Sequence, residues 1–271
     1  VAHTYNYMAQ YNSALDYYFR KLHLDDSLNL PVEKGQTLNL IGNIYYTVKA
    51  YEKAEDYYLQ SLNIFQNNDF SPGMSDIYNN LGNIAFNRDE PDKADYYYHK
   101  SLEIDIEKKD YSGITISYSN LGNLYYQLYR DTSAINYYRK GLAFLNRVDY
   151  KDVHALIYNA VGDYFYWAEQ IDSALFYLNK AYSLADNNHL PNYLSSTSKS
   201  LSEIHADQLN YQKAYSYLNM HNRLYDSIYN YKNNSRLKFL EMQYKQEKRE
   251  KEREIEILKK EKRMRTRLWG I

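Results

Sequence analysis

Three rows of side chains have the types and the spacing to recognise another chain. The first holds Asn39, Asn79, Ser119 and Asn159. One helical turn on lie Asn43, Asn83, Asn123 and Asp163, and then Tyr46, Phe86, Tyr126 and Tyr166, with Trp167 beside the last. Every row advances by the same step, as the numbers themselves show. A carboxamide carries both a donor and an acceptor, as a peptide group does. A file of amides at a regular rise can therefore hold an extended backbone with little regard to its side chains, while the rings beside it supply pockets. A structural reading stands next to this one: an Asn that follows Gly can instead serve the unit that carries it.

Other chemistry finds no support in the residues. No glycine-rich phosphate loop, His-Glu-x-x-His or Gly-x-Ser-x-Gly motif is present, so we read the chain as non-enzymatic and assign no cofactor. There is no cysteine, which removes disulfides and thiolate ligands. His205 and His221, with Glu203 and Asp207 nearby, could be imagined around a metal; we read them as half-polar packing and assign no metal site.

The rows must be positioned by something periodic. Gly42, Gly82, Gly122, Gly162 and Ser202 keep the step of the rows, as do Ala14, Ala54, Ala94, Ala134, Ala174 and Ala214. A third ladder runs through Tyr17, Tyr57, Tyr97, Tyr137, Tyr177 and Tyr217. At 100° per residue, Leu38, Ile41, Gly42 and Tyr45 share one face of a first helix, A. Ala54, Tyr58, Ser61 and Leu62 share the inner face of a second, B. Small residues at 42 and 54 allow two helix backbones to approach closely. Such a hairpin buries its apolar face only by stacking on its neighbours.

These residues resemble the tetratricopeptide repeat, with a small residue after Leu in helix A and Ala early in helix B. Ala94-Asp95-Tyr96-Tyr97-Tyr98 fits as well. The usual unit is about 34 residues with a Pro closing helix B; here it is 40 and that Pro is absent. The resemblance implies an all-α, right-handed solenoid of helical hairpins with longer helices and longer loops between repeats. It also implies that helix A lines the concave side, where the three rows become a groove for a protein or peptide segment. Pro31, Pro72 and Pro191 are expected to open A helices and Pro91 a B helix. Ser71 and Asp152 are expected as N-caps.

We expect the repeats to fill residues 1–231, about five and a half units, and a charged helical tail to fill 232–271. The first part carries 19 Lys+Arg against 27 Asp+Glu, the second 14 against 7. Leu237, Leu240 and Tyr244 start a heptad seam, so a single charged helix and a weak homodimeric coiled coil both remain open. The interleaved Glu residues and acidic body argue against nucleic acid. The end, Lys259-Lys-Glu-Lys-Arg-Met-Arg-Thr-Arg-Leu-Trp-Gly-Ile271, reads either as a solvated helix end or as a juxtamembrane boundary before an anchor past Ile271. This layout is similar to the sensor part of bacterial membrane-bound regulators, which implies a membrane-associated chain with periplasmic repeats. The rival reading is a cytoplasmic adaptor or peptide-responsive regulator that dimerises through its tail helix.

Overall fold

The computed structural model describes residues 11–129, 132–225 and 259–260, and among them there is no strand. The helices are α1 (Tyr11–Ser27), α2 (Pro31–Thr47), α3 (Tyr51–Asn67), α4 (Ser71–Asn87), α5 (Pro91–Lys108) and α6 (Tyr111–Gln127). A short α7 (Ala134–Leu142) and a 3-10 turn (Leu145–Arg147) follow, then α8 (Lys151–Trp167), α9 (Ile171–Asn187) and α10 (Pro191–Asp207). Residues 211–225 are helical too. Even-numbered helices are the A helices and odd-numbered ones the B helices. By their contacts Tyr18–Tyr229 form one compact unit; Val1–Tyr17 with Asn230–Ile271 form another, most of it outside the described residues. In the larger unit each A helix packs on its own B helix and on the preceding one, and successive A helices touch. The A helices are thus the inner wall of an all-α hairpin solenoid.

A shorter beat, half the repeat, underlies the hairpins. Most helices share one length and are followed within two positions by a residue with positive φ: Asn29, Lys49, Asp69, Asp89, Lys109, Glu169, His189 and Leu209. One residue later the backbone N–H donates to the carbonyl five positions back, as in Ala50 to Tyr45 and Glu90 to Ala85, both at 2.9 Å. This closure satisfies carbonyls that a helix end would otherwise leave open. It also turns the chain at once into the next helix. The longer inter-repeat loops expected from the sequence are therefore absent at most junctions; the extra length went into the helices. Pro31, Pro91 and Pro191 stand at the first helical position, as expected. Ser71 and Asp152 are not N-caps: Phe70 and Tyr150 hold those positions. Asp110 is the residue that caps, accepting from Ser112 N and Gly113 N.

Packing centres on a ring laid against a backbone. A Cβ added at Gly42, Gly82 or Gly122 would lie 2.5, 2.5 and 2.4 Å from Cε1 of Tyr58, Tyr98 and Tyr138. Those three rings are almost wholly buried. In the next repeat Leu178 replaces the tyrosine and approaches Gly162 in the same way. Ala54, Ala94, Ala134 and Ala174 are fully buried on the facing helix.

One buried charge breaks the apolar pattern. The Asp105 carboxylate is 4% exposed, between α4, α5 and α6. It accepts from the hydroxyls of Ser75 and Ser117, the latter at 3.2 Å, with Ser101 at 3.4 Å. Its counterpart Asp25 has Lys21 at 2.7 Å, whereas the position matching Lys21 is Ser101. Burial pushes the Asp105 carboxyl up to about 6, and Asp110 and Asp76 add to the rise.

Two expected placements need correction or lie out of reach. The membrane-associated placement is overturned: among the described residues no helix is long and apolar enough to cross a membrane. Even α5, the longest of the named helices, carries Asp92, Lys93, Asp95, Lys100 and Glu103. The charged tail helix over 232–271, its heptad seam and the homodimer they would form lie outside the described residues, save helical Lys259 and Lys260.

Two outcomes follow from this packing. Gly122→Ala should destabilise the stack by about 1–3 kcal/mol, because the Tyr138 ring has no room to retreat; urea melts of both proteins check it. The raised Asp105 carboxyl contributes stability below its unfolded value of 3.8, and that contribution is lost as pH rises through about 6. Asp105→Asn should therefore flatten the fall in melting temperature between about pH 4 and pH 7 and raise stability at pH 7 by about 1–3 kcal/mol. Parallel pH profiles for the two proteins would contradict this account.

Candidate functional site

The three rows lie along the inner edge of the A helices, on α2, α4, α6 and α8. Their Asn side chains and the rings Tyr46, Phe86, Tyr126 and Tyr166 are half-buried; Ser119 is buried, and Trp167 is 37% exposed. Each amide in the rows also has a partner inside the fold.

In the second row the carbonyl is occupied. Tyr58, Tyr98 and Tyr138 donate from their hydroxyls to Oδ1 of Asn43, Asn83 and Asn123 at 2.7, 2.9 and 2.8 Å. Burial holds the Tyr58 and Tyr98 phenols far above their ordinary range, so they remain donors. The glycine admits the ring, and the asparagine after it receives the ring's hydroxyl. Nδ2 of these three residues donates no bond among the described residues.

The first row ties neighbouring A helices together. Asn80 Nδ2 donates to Oδ1 of Asn39 at 3.1 Å and of Asn43 at 3.2 Å. Asn120 Nδ2 donates to Asn79 Oδ1 at 2.6 Å, and the Thr197 hydroxyl donates to Asn159 Oδ1 at 2.6 Å. Asn80, Asn120 and Thr197 were not among the residues singled out from the sequence. A second beat marks two of them, since Asn39 to Asn80 and Asn79 to Asn120 are both one position longer than the repeat. Ser119 interrupts the row: its buried hydroxyl has no hydrogen-bond partner among the described residues.

The aromatic row keeps the same offset. Asn87 Nδ2 donates to the Tyr46 hydroxyl at 3.0 Å, and Tyr166 donates to Asp207 Oδ2 at 2.6 Å. Tyr126 meets Trp167 edge-on at 5.4 Å, and both rings contact Tyr164. Burial, then Asp207, pushes the Tyr166 phenol up to about 12.

The fourth repeat departs from the others in two linked positions. Leu178 has no hydroxyl, and Asp163 stands where the asparagine would be. Asp163 Oδ2 accepts from Asn159 Nδ2 at 2.9 Å, and burial pushes its carboxyl up to about 6. His205 and His221 do not converge on a site. His205 stacks on Tyr217 at 5.6 Å, and His221 bonds to Ser195. Among the described residues there is no cluster of three or more His, Cys, Asp or Glu fit to hold a metal.

Family comparison agrees with this geometry. The tetratricopeptide repeat family model matches residues 33–105 and 73–147, which cover α3 to α7 and most of α2. Residues 33–147 are tetratricopeptide repeats. The tetratricopeptide stack resembles several solved structures in fold. One is BtubC from P. vanneervenii: 20% identity, TM-score 0.59, covering 82% of this chain and 90% of that one. A Rap protein in complex with competence and sporulation factor gives 13% identity, TM-score 0.65 and coverage of 85% and 74%. Aspartyl phosphate phosphatase F from Bacillus subtilis gives 14% identity, TM-score 0.63 and coverage of 82% and 68%. At these identities the likeness is one of fold. No curated protein matches the tetratricopeptide chain in sequence.

The Tyr–Asn bond can be measured. Asn83→Ala and Tyr98→Phe should each cost about 0.5–1.5 kcal/mol, and the double variant clearly less than their sum. Strict additivity in denaturant melts would mean that the bond contributes nothing.

Proposed function

We propose that this protein is a peptide-binding adaptor or regulator that holds an extended segment of a partner along the inner face of its A helices. The observation that carries this reading is the division of labour within each amide. Carbonyls of Asn43, Asn83 and Asn123 serve the fold, while their Nδ2 groups point no bond into it. Asn80 and Asn120 do the reverse, spending Nδ2 on a neighbouring helix and leaving Oδ1. Donors and acceptors thus alternate along one surface, which is what an extended backbone requires. Tyr46, Phe86, Tyr126, Tyr166 and Trp167 border the file and supply rings for the segment's apolar side chains. One similar structure is a complex with competence and sporulation factor, which supports a binding use of the fold. Another is named a phosphatase. No residue set described above points to catalysis in this chain, and we assign it a binding role.

Asn→Asp variants separate binding from folding, because aspartate keeps Oδ1 for the tyrosine hydroxyl and removes the Nδ2 donor. A segment is first selected from a library of extended peptides by its effect on Trp167 fluorescence. Asn83→Asp with Asn123→Asp should then weaken that peptide by about tenfold to a hundredfold, at roughly 0.5–1.5 kcal/mol per lost bond, while circular dichroism shows the fold retained. Unchanged affinity in this variant would end the inner-face reading.

A further inference from the structure

The B-helix side carries a second feature that the inner face does not use. Over residues 1–231 acidic side chains outnumber basic ones, 27 to 19, but residues 132–151 reverse that balance. They hold Arg139, Lys140, Arg147 and Lys151 against Asp149 alone. Arg147 is engaged, donating to the Tyr111 hydroxyl at 2.9 Å and lying over its ring. Arg139 and Lys140 on α7, and Lys180 one repeat on in α9, have no carboxylate at ion-pair distance among the described residues. Lys100, the matching position on α5, does have one: Glu103 at 2.9 Å.

Rings hold these lysines instead. Lys180 Nζ lies 4.3 Å from the centre of the Phe176 ring and 5.3 Å from that of Tyr158. Lys140 Nζ lies 5.7 Å from the ring centres of both Tyr118 and Tyr137. A ring face attracts the ammonium through its quadrupole but accepts no ordinary hydrogen bond from it, so the N–H groups stay available. Beside Lys180 opens a cavity of about 600 Å³ lined by Tyr158, Phe176, Asn179, Lys180, Ser183 and Leu184. Asn179 and Ser183 have no hydrogen-bond partner among the described residues and are exposed. Phe176 is 54% exposed despite its size. Three donors on an apolar floor make a place for a carboxylate with an apolar neighbour.

The geometry points to this cavity, with Arg139 and Lys140 beside it in the repeat order, as a docking site for an acidic segment of a protein partner. The segment would carry Asp or Glu alternating with aromatic or aliphatic side chains. One carboxylate would meet Lys180 with its apolar neighbour over Phe176, and another, further along the segment, would meet Lys140. Nucleic acid fits less well, because a duplex backbone offers no apolar side chain to cover the exposed Phe176 ring. The site is independent of the inner face, so both could be filled at once.

Two labelled peptides test it on the full chain by fluorescence anisotropy: one alternating Glu with Phe, the other of Glu alone. Lys140→Glu with Lys180→Glu should weaken the Glu/Phe peptide by about tenfold or more, with the melting temperature kept, since both side chains are exposed. Unchanged affinity would overturn the proposal. Phe176→Ala should weaken the Glu/Phe peptide several-fold and leave the all-Glu peptide alone. No loss on either peptide, or equal loss on both, would mean that Phe176 receives no apolar side chain and only charge attraction remains, and would overturn it too. A short DNA duplex that displaces the peptide more strongly than free Glu/Phe peptide would assign the patch to nucleic acid. Asn83→Asp with Asn123→Asp should leave this binding intact; its loss there would place the peptide on the inner face.

Discussion

A tyrosine ring lying on a glycine backbone is the contact on which the repeat depends. In three successive hairpins the ring of Tyr58, Tyr98 or Tyr138 occupies the volume that a Cβ at Gly42, Gly82 or Gly122 would need. That places helices A and B at a fixed separation, and the buried alanines at 54, 94 and 134 maintain it on the other side. The ring brings a hydroxyl into the interface, and a buried hydroxyl without a partner costs about 1–3 kcal/mol. The asparagine after the glycine removes that cost. Glycine, asparagine and tyrosine are therefore one device spread over two helices. The fourth repeat shows its logic by exception, because with Leu178 in place of the tyrosine the asparagine is no longer needed and Asp163 stands there.

Much of this fold could be read from the ladders of small residues, since a constant step with Gly and Ala in register leaves few arrangements but stacked hairpins. The inner residues Leu38, Ile41, Ala54, Tyr58 and Leu62 are buried as the helical wheel placed them. Turn lengths were not legible. A positive-φ helix end usually announces itself by glycine, and here the position passes through Asn29, Lys49, Asp69, Asp89, Lys109, Glu169, His189 and Leu209 with no shared chemistry. Ser71 looked like a cap by type, but the closure of the preceding helix places it one residue inside the next. The membrane placement rested on the composition of the last few residues, and the helices described carry too many charges to support it.

The candidate surface was legible in its position but not in its internal bonding. A wheel shows that Asn43, Asn83 and Asn123 share an edge; it does not show that a tyrosine on the next helix reaches each of them. Nor does the repeat step reveal that helices A are cross-linked at a spacing one position longer, through Asn39 with Asn80 and Asn79 with Asn120. The signal was present as a second period, and it becomes meaningful only once successive A helices are known to touch.

This bonding bears on the two readings of the amides, structural and functional, which are less opposed than they look. Each carboxamide has two ends, and except at Asn159, where both are taken, the fold uses one. A ligand that takes Nδ2 of Asn83 gains a bond while Tyr98 keeps its own, so recognition need not be offset by loss of packing. A ligand that takes Oδ1 of Asn39 or Asn79 shares an oxygen that already accepts from Asn80 or Asn120 across the A helices. Under the proposed function the favourable ligand is thus one whose carbonyls face the second row and whose N–H groups face Asn80 and Asn120. A backbone in extended conformation still has its N–H and carbonyl groups to offer such a surface, whereas those of a helix are already spent.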